Sequence, residues 1–178
     1  LFTTRTYPDE DWHFASKSSI LQLHLIDLKE YKRMAEAYII DAARTFRGLG
    51  KVGKGAISHI HPQRLLGEVF KAVEKRNDLD TSELDDVIVG CSTQMGKQGF
   101  CVGRMAVLDA GWHNNASAVI LDRFCGSGIT SVNLGAMGIM SGMQDFVVSG
   151  GVEMMSYTAT LQPVGNVMTI DAGNQHLR

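Results

Sequence analysis

The chain has 178 residues, enough for one domain with a substantial hydrophobic core but not comfortably for two. Its hydrophobic fraction of 44%, charged fraction of 20% and formal net charge of -2 are typical of a soluble globular protein. This balance argues against a nucleic-acid-binding surface or a polybasic membrane patch, and no apolar run approaches the roughly 20 residues of a membrane span.

The first 33 residues differ in character from the rest. They mix charges of both signs, and the acidic run Asp9–Asp11 is atypical of a mitochondrial presequence. We expect residues 1–33 to form a poorly ordered extension, with the natural start at Met34. Since no targeting segment stands out, a cytoplasmic location is expected.

From Met34 onward, patterns typical of strands and helices alternate along the chain. The apolar run Ala37–Ile40 predicts a buried strand, and Pro62 begins a stretch whose apolar residues recur at helical spacing. The later predicted elements are a strand at Val87–Val89, a helix over Arg104–Ala110, a strand over Ser117–Leu121, a helix with an apolar face from Ile129 to Met140, and a strand at Phe146–Val148. This order predicts an α/β fold with a mostly parallel sheet and helices on both faces.

A glycine-rich stretch from Gly48 to Gly55 resembles two nucleotide-binding motifs. Gly48–Gly53 matches G-x-G-x-x-G, and Gly48–Lys54 nearly matches a P-loop. Both motifs require a helix to begin directly after the glycines, so that its free N–H groups meet the phosphates. Here several residues separate the glycines from Pro62, and Gly55 stands where a P-loop has Ser or Thr. A surface loop is therefore the favoured interpretation.

The three cysteines, Cys91, Cys101 and Cys125, are too few and too widely spaced for a disulfide framework, and they fit a reducing compartment. His59 and His61 have no acidic or cysteine partner at ligand spacing, so we expect no metal site there.

Cys125 has the surroundings of a reactive thiol. It follows a predicted buried strand and precedes a long predicted helix, at the edge where open α/β sheets bind their ligands. The unpaired N–H groups of the helix favour a thiolate, and the backbone N–H of Cys125 is suited to stabilising an oxyanion. Gly126 and Gly128 leave room for a substrate. The alternative is a buried cysteine that only fills space, which is the better expectation for Cys91 and Cys101.

The end of the last predicted strand, Ser149–Ser156, contains paired glycines and Glu153. Glu153 is either an acid/base group or, as we favour, a structural hydrogen-bond acceptor.

Four blocks of sequence resemble the N-terminal half of thiolases, the family of acetyl-CoA acetyltransferases and 3-ketoacyl-CoA thiolases. They occur in the family's order, as Ala37–Gly48 (AYIIDAARTFRG), Gly90–Gly111 (GCSTQMGKQGFCVGRMAVLDAG), Asp122–Gly128 (DRFCGSG) and Ser149–Ser156 (SGGVEMMS). The third block is similar to the nucleophile motif and implies that Cys125 is the catalytic residue. Phe46 and Asp122 depart from the family pattern, which usually has proline and asparagine at these positions.

The resemblance implies an acyltransferase that forms an acyl-enzyme on Cys125, with acyl-CoA and CoA as substrates and no resident cofactor or metal. It also implies a homodimer or homotetramer. The family's two general bases, a histidine in G-H-P and a second cysteine, lie in its C-terminal half, and neither motif occurs here. Two alternatives stay open: a ketoacyl synthase-like condensing domain, and a degenerate thiolase-fold protein without catalysis.

The resemblance also suggests boundaries within the chain. Residues 34–156 correspond to part of the thiolase N-terminal α/β domain, and residues 157–178 to the truncated start of an inserted loop region. The sheet is expected to be incomplete, because its last strand would come from later sequence. We therefore predict that the 178-residue chain alone is inactive and only marginally stable.

Overall fold

The computed structural model describes residues 36–158, which form four α-helices and three strands. In chain order these are α1 (Pro62–Asn77), β1 (Asp86–Gly90), α2 (Val102–Ala110), β2 (Ala118–Leu121), α3 (Ser127–Met140), β3 (Val147–Gly151) and α4 (Met155–Thr158). Short 3-10 turns occupy Thr81–Glu83 and Gly96–Gln98. The predicted extension over residues 1–33 and most of the predicted inserted region over 157–178 lie outside the described residues.

The three strands form one parallel sheet in the order β2-β1-β3. In the central strand, Val87 lies opposite Ala118 of β2 and Val148 of β3. Helices connect the strands because parallel neighbours require crossover connections. The predicted α/β class is thus confirmed. Since all strands run the same way, their carboxyl ends meet at one edge, which we call the carboxyl edge: Gly90, Leu121 and Gly151.

One face of the sheet carries the main hydrophobic core. Val87 and Val89 of β1 are fully buried there, because alternate side chains of a strand point to the same face. They pack against α1 and α2, and the Phe70 ring stacks on Trp112 with centroids 4.7 Å apart. The cluster also contains Leu66, Leu84, Ala106, Val107 and Ala116.

The opposite face is covered by α3. Gly135 lies directly over Val147 and Ser149 of β3, where a larger residue would collide with their side chains. Ser131 of α3 is fully buried against the end of β3. Small residues on α3 therefore allow the helix to lie close to the strands, and the prediction of helices on both faces is confirmed.

The predicted strand at Ala37–Ile40 is wrong for this structure. The segment forms no strand, and Tyr38, Ile39 and Ile40 are 73%, 82% and 73% exposed. A strand needs a hydrogen-bonded neighbour, and this segment pairs with none of the three strands of the sheet. The segment is instead attached through Asp41, whose carboxylate accepts hydrogen bonds from Arg76 at 2.6 Å and from Asn77 at 2.8 Å, both at the end of α1.

The predicted helices are confirmed, with small shifts of their ends. Helix α1 begins at Pro62, and His61 caps it by accepting the Gln63 N–H on Nδ1 at 3.2 Å. Helix α2 ends at Ala110 and is followed by Gly111, which has a left-handed φ of 81°. No helix among residues 36–158 is long and apolar enough to cross a membrane.

Candidate active site

Cys125 lies on the short turn that joins β2 to α3. The strand ends at Leu121, the helix begins at Ser127, and Cys125 is exposed between them. The first N–H groups of an α-helix have no partner within the helix and carry partial positive charge. The thiol therefore lies at the positive end of α3 and at the carboxyl edge of the sheet, in the setting that the sequence predicted.

The backbone of this turn is held by Ser127. Its Oγ donates to the carbonyl oxygen of Phe124 at 2.7 Å and accepts the Arg123 N–H at 2.8 Å. Ser127 is 4% exposed, so water does not readily compete for these bonds. One buried hydroxyl thus fixes the two residues that precede Cys125.

Phe124 adopts a left-handed backbone conformation with φ of 49°. This conformation is unfavourable for an ordinary L-residue and is maintained where the surroundings determine it. The Asp122 carboxylate contributes by accepting the Phe124 N–H at 2.7 Å, an Asx turn. The reversal at Phe124 turns the chain sharply, so that Cys125 precedes the helix with its side chain exposed.

The end of β1 touches the start of α3. A Cβ added to Gly90 would lie 2.5 Å from the carbonyl carbon of Ser127 and 2.8 Å from the nitrogen of Gly128. Only glycine permits this approach, since any side chain would displace the backbone of the helix's first turn. The position of the turn carrying Cys125 therefore depends on the loop that follows Gly90.

The other two cysteines occupy different surroundings. Cys91 is 1% exposed, and burial together with the charge of the Glu153 carboxylate raises the pKa of its thiol to about 12. A thiol with this pKa is protonated, and thus unreactive, at neutral pH. Cys101 directs its Sγ to the carbonyl oxygen of Ala118 at 3.5 Å. Both arrangements agree with the packing role expected for these residues.

Glu153, two residues beyond β3, acts as a hydrogen-bond acceptor in this structure. Its Oε2 accepts the N–H groups of Ser92 at 2.8 Å and Thr93 at 3.2 Å, and its Oε1 accepts Gln98 Nε2 at 3.0 Å. This agrees with the favoured structural role, although Glu153 holds the loop after β1 and not its own turn.

The glycine-rich stretch does not run into a helix. Turns follow one another from Lys51 to Ser58, Gly53 has a left-handed φ of 66°, and α1 begins only at Pro62. No helix N-terminus is therefore presented to a phosphate by these glycines. Within residues 36–158, no group of three potential metal ligands lies together, and His61 serves as a helix cap.

Two features of the site were not predicted from the sequence. Gln98 is completely buried and joins the loop after β1 to Glu153, but an isolated glutamine in a loop carries no periodic pattern. The left-handed Phe124 had a usable clue, because Asp122 stands two residues before it in the spacing of an Asx turn.

Comparison with known proteins identifies relatives of the chain. The family model described as thiolase, N-terminal domain, matches residues 37–178. The chain is 40% identical over 137 residues to a steroid 3-ketoacyl-CoA thiolase of Mycobacterium tuberculosis, covering 77% of this chain and 32% of that protein. A 3-ketoacyl-CoA thiolase of Shewanella denitrificans is 40% identical over 125 residues, covering 70% of this chain and 32% of that protein.

A solved structure shares the fold. The acetyl-CoA acetyltransferase of Bacillus anthracis matches with a TM-score of 0.55 and 34% identity, covering 60% of this chain and 27% of that chain. The chain thus spans about a third of the length of the curated relatives it matches.

Proposed function

The chain belongs to the thiolase family, and from this we propose that the protein is a thiolase-type acyltransferase whose acyl-enzyme forms on Cys125. The observation that carries the proposal is the position of Cys125, an exposed thiol on the turn that leads directly into α3 at the carboxyl edge of a parallel sheet. The names of the relatives support acyl-CoA thioesters as substrates.

The proposed reaction has two steps. In the first, the Cys125 sulfur attacks the thioester carbonyl of an acyl-CoA, the bond from carbonyl carbon to CoA sulfur breaks, and CoA leaves as a thiol after taking a proton. The backbone N–H of Cys125 is suited to donate to the oxyanion that forms in between. In the second step, either the α-carbon of another acyl-CoA or the thiol of CoA takes the acyl group, and the Cys125 sulfur is released.

Proton transfer in both steps needs general bases. The two base motifs expected from the family do not occur in the sequence, so we expect the 178-residue chain alone to be inactive. A role in lipid metabolism, a cytoplasmic location and a homodimeric or homotetrameric assembly remain part of the proposal.

The test is to trap the intermediate. The chain, expressed together with any natural sequence that adjoins it, is incubated with acetyl-CoA, quenched in acid and digested, and the peptide that contains Cys125 is examined by mass spectrometry for an acetyl group. We expect an adduct on this peptide in the wild type and none in Cys125→Ala.

Cys101→Ala provides the matched control, because it removes another thiol that is not fully buried while leaving the turn before α3 intact. This variant should acetylate like the wild type. A folded protein without any adduct on Cys125 would contradict the proposal and favour a thiolase-fold protein that acts in assembly or lipid carriage.

A further inference from the structure

The Glu153 carboxylate connects two chain segments that leave neighbouring strands at the carboxyl edge. Although much of the residue is exposed, its two oxygens together accept three N–H groups from the loop after β1, those of Ser92, Thr93 and Gln98. Hydrogen bonds to an ionised carboxylate are stronger than those between neutral groups. The loop after β1 is therefore held chiefly by a residue that follows β3.

Gln98 completes the connection from inside the protein. It is fully buried, its Nε2 donates to the carbonyl oxygen of Thr93 at 2.9 Å as well as to Glu153, and its Oε1 accepts the Met154 N–H at 2.6 Å. Every polar group of this side chain has a partner, which is the condition for burying an amide without a large cost. Glu153 and Gln98 thus form one rigid clamp on residues 92–98.

The clamp lies next to the turn that carries Cys125. The N–H of Cys91 donates to the carbonyl oxygen of Leu121 at 3.0 Å, directly before that turn, and Gly90 touches the backbone of Ser127. The Val152 N–H in turn donates to the carbonyl oxygen of Gly90 at 3.1 Å. A displacement of the loop after β1 is thus passed to both ends of the Cys125 turn through backbone contacts.

Cys91 is a further contact between the clamp and the turn. Burial raises the pKa of its thiol, and the charges of Glu153 and Asp122 raise this pKa further. Asp122 is the first residue of the turn, and it holds Phe124.

We propose that Glu153 is a positioning residue for Cys125: by clamping Ser92 and Thr93 it fixes the backbone of β1 against the first turn of α3 and so sets the position of the thiol. The inference rests on the proposed function for the role of Cys125. Glu153 acts on the loop after β1 and not by exchanging a proton with substrate.

The experiment compares the effect of side-chain length with the effect of charge in three variants, produced in the same form as for the acetylation test. Glu153→Ala removes all three acceptor bonds. Glu153→Gln keeps the length and one oxygen that accepts the N–H groups of Ser92 and Thr93, but its NH2 group cannot accept from Gln98. Glu153→Asp keeps the charge but shortens the side chain. If the position of the loop decides the reactivity of Cys125, Glu153→Gln should keep most of the wild-type alkylation rate of Cys125. Glu153→Asp should then lower this rate as much as Glu153→Ala does.

Asp85 offers a matched control at the opposite edge of the sheet. Its carboxylate also accepts two successive backbone N–H groups, those of Asp145 at 2.6 Å and Phe146 at 3.0 Å, and also joins β1 to β3. Asp85→Ala therefore removes a similar clamp between the same two strands at a distance from Cys125. Urea unfolding of both alanine variants shows whether their losses of stability are comparable.

The main measurement is the second-order rate of alkylation of Cys125 by iodoacetamide at neutral pH, followed by peptide mass spectrometry. Alkylation by a reagent free in solution depends on access to the sulfur and on its distance from the positive end of α3, so we expect Glu153→Ala to slow alkylation by about fivefold, the size of a helix-terminus effect. Asp85→Ala should stay within about twofold of the wild type, the size of effect expected for a distant, independent site. Equal rates in Glu153→Ala and wild type, or an equal loss in Asp85→Ala, would overturn the proposal.

Acyl transfer provides a second measurement. With acetyl-CoA as substrate, Glu153→Ala should lower kcat while leaving KM nearly unchanged, because the clamp positions the nucleophile and does not bind CoA.

Alkylation does not depend on acyl transfer. If wild-type Cys125 forms no acetyl adduct, the proposed function fails, while the alkylation rates still decide whether Glu153 positions the thiol. If Glu153→Asp reacts like the wild type and Glu153→Gln does not, charge and not position is responsible, and the proposal is wrong.

Discussion

Ser131 Oγ in α3 lies 2.7 Å from the carbonyl oxygen of Gly150 in β3. Ser131 Oγ also lies 2.7 Å from the carbonyl oxygen of Gly128. A serine hydroxyl has one proton, so it donates to these two acceptors alternately or shares its proton between them. Ser131 is fully buried, and its contact with Gly150 fastens the second turn of α3 to the sheet close to Cys125.

Ser131→Ala should therefore lower the free energy of unfolding by about 1 kcal/mol, the usual net worth of a buried hydrogen bond, measured by urea denaturation. The control is Ser141→Ala, which removes a similar bond from an exposed hydroxyl to the carbonyl of Gly138. This change should cost less than about 0.5 kcal/mol. An equal loss in the free energy of unfolding in the two variants would mean that the bond from Ser131 to Gly150 does not stabilise the protein.

Gly90 at the end of β1 and Gly128 in the first turn of α3 should respond to alanine in opposite directions. Gly90→Ala places a Cβ against the backbone of Ser127 and should destabilise the protein by about 1–3 kcal/mol, as overpacking does. Gly128→Ala meets nothing within 4 Å and occupies a helical position, so it should stabilise by roughly 0.5–1 kcal/mol. Thermal and urea unfolding check both signs. Stabilisation by Gly90→Ala would contradict the close approach.

Asp122 departs from the asparagine usual in the family, and the structure predicts that either residue suits the turn. The side-chain oxygen of Asn accepts the Phe124 N–H as the carboxylate does, so Asp122→Asn should leave the free energy of unfolding nearly unchanged. Asp122→Ala removes the bond and should cost about 0.5 kcal/mol. Urea unfolding of the two variants provides the comparison, and a larger loss in Asn than in Ala would disprove this role.

The Cys91 thiol makes stability depend on pH in the alkaline range. Its pKa is raised to about 12 in the folded protein from an ordinary value of 9.0. Between these values the unfolded chain has lost the proton that the folded chain keeps, so the contribution of Cys91 to stability falls as pH rises above about 9.

Urea unfolding at several alkaline pH values should therefore show a steeper loss of stability in the wild type than in Cys91→Ala. Because tyrosines and lysines also titrate in this range, the difference between the two proteins is the relevant quantity. Parallel curves would contradict the assignment.

Much of the fold could be predicted from local patterns. The apolar run at Val87–Val89 and the helical spacing after Ile129 identify their elements, since each is decided by residues close together in the chain. At Ala37–Ile40 the local pattern does not decide the structure. The run has strand-forming residues, but a strand also needs a hydrogen-bonded neighbour, and this segment pairs with none of the three strands and is exposed.

The amino-acid sequence by itself determined the order of the helices and strands from Pro62 to the last strand, the α/β class and the position of Cys125 before a helix. These features follow from periodicity and from the chemistry of residues adjacent in the chain. Only the tertiary structure decided that Gln98 is buried and that Glu153 binds the N–H groups of Ser92 and Thr93. Such contacts join residues about sixty positions apart, and they form only when the packing of helices on the sheet brings the ends of β1 and β3 together.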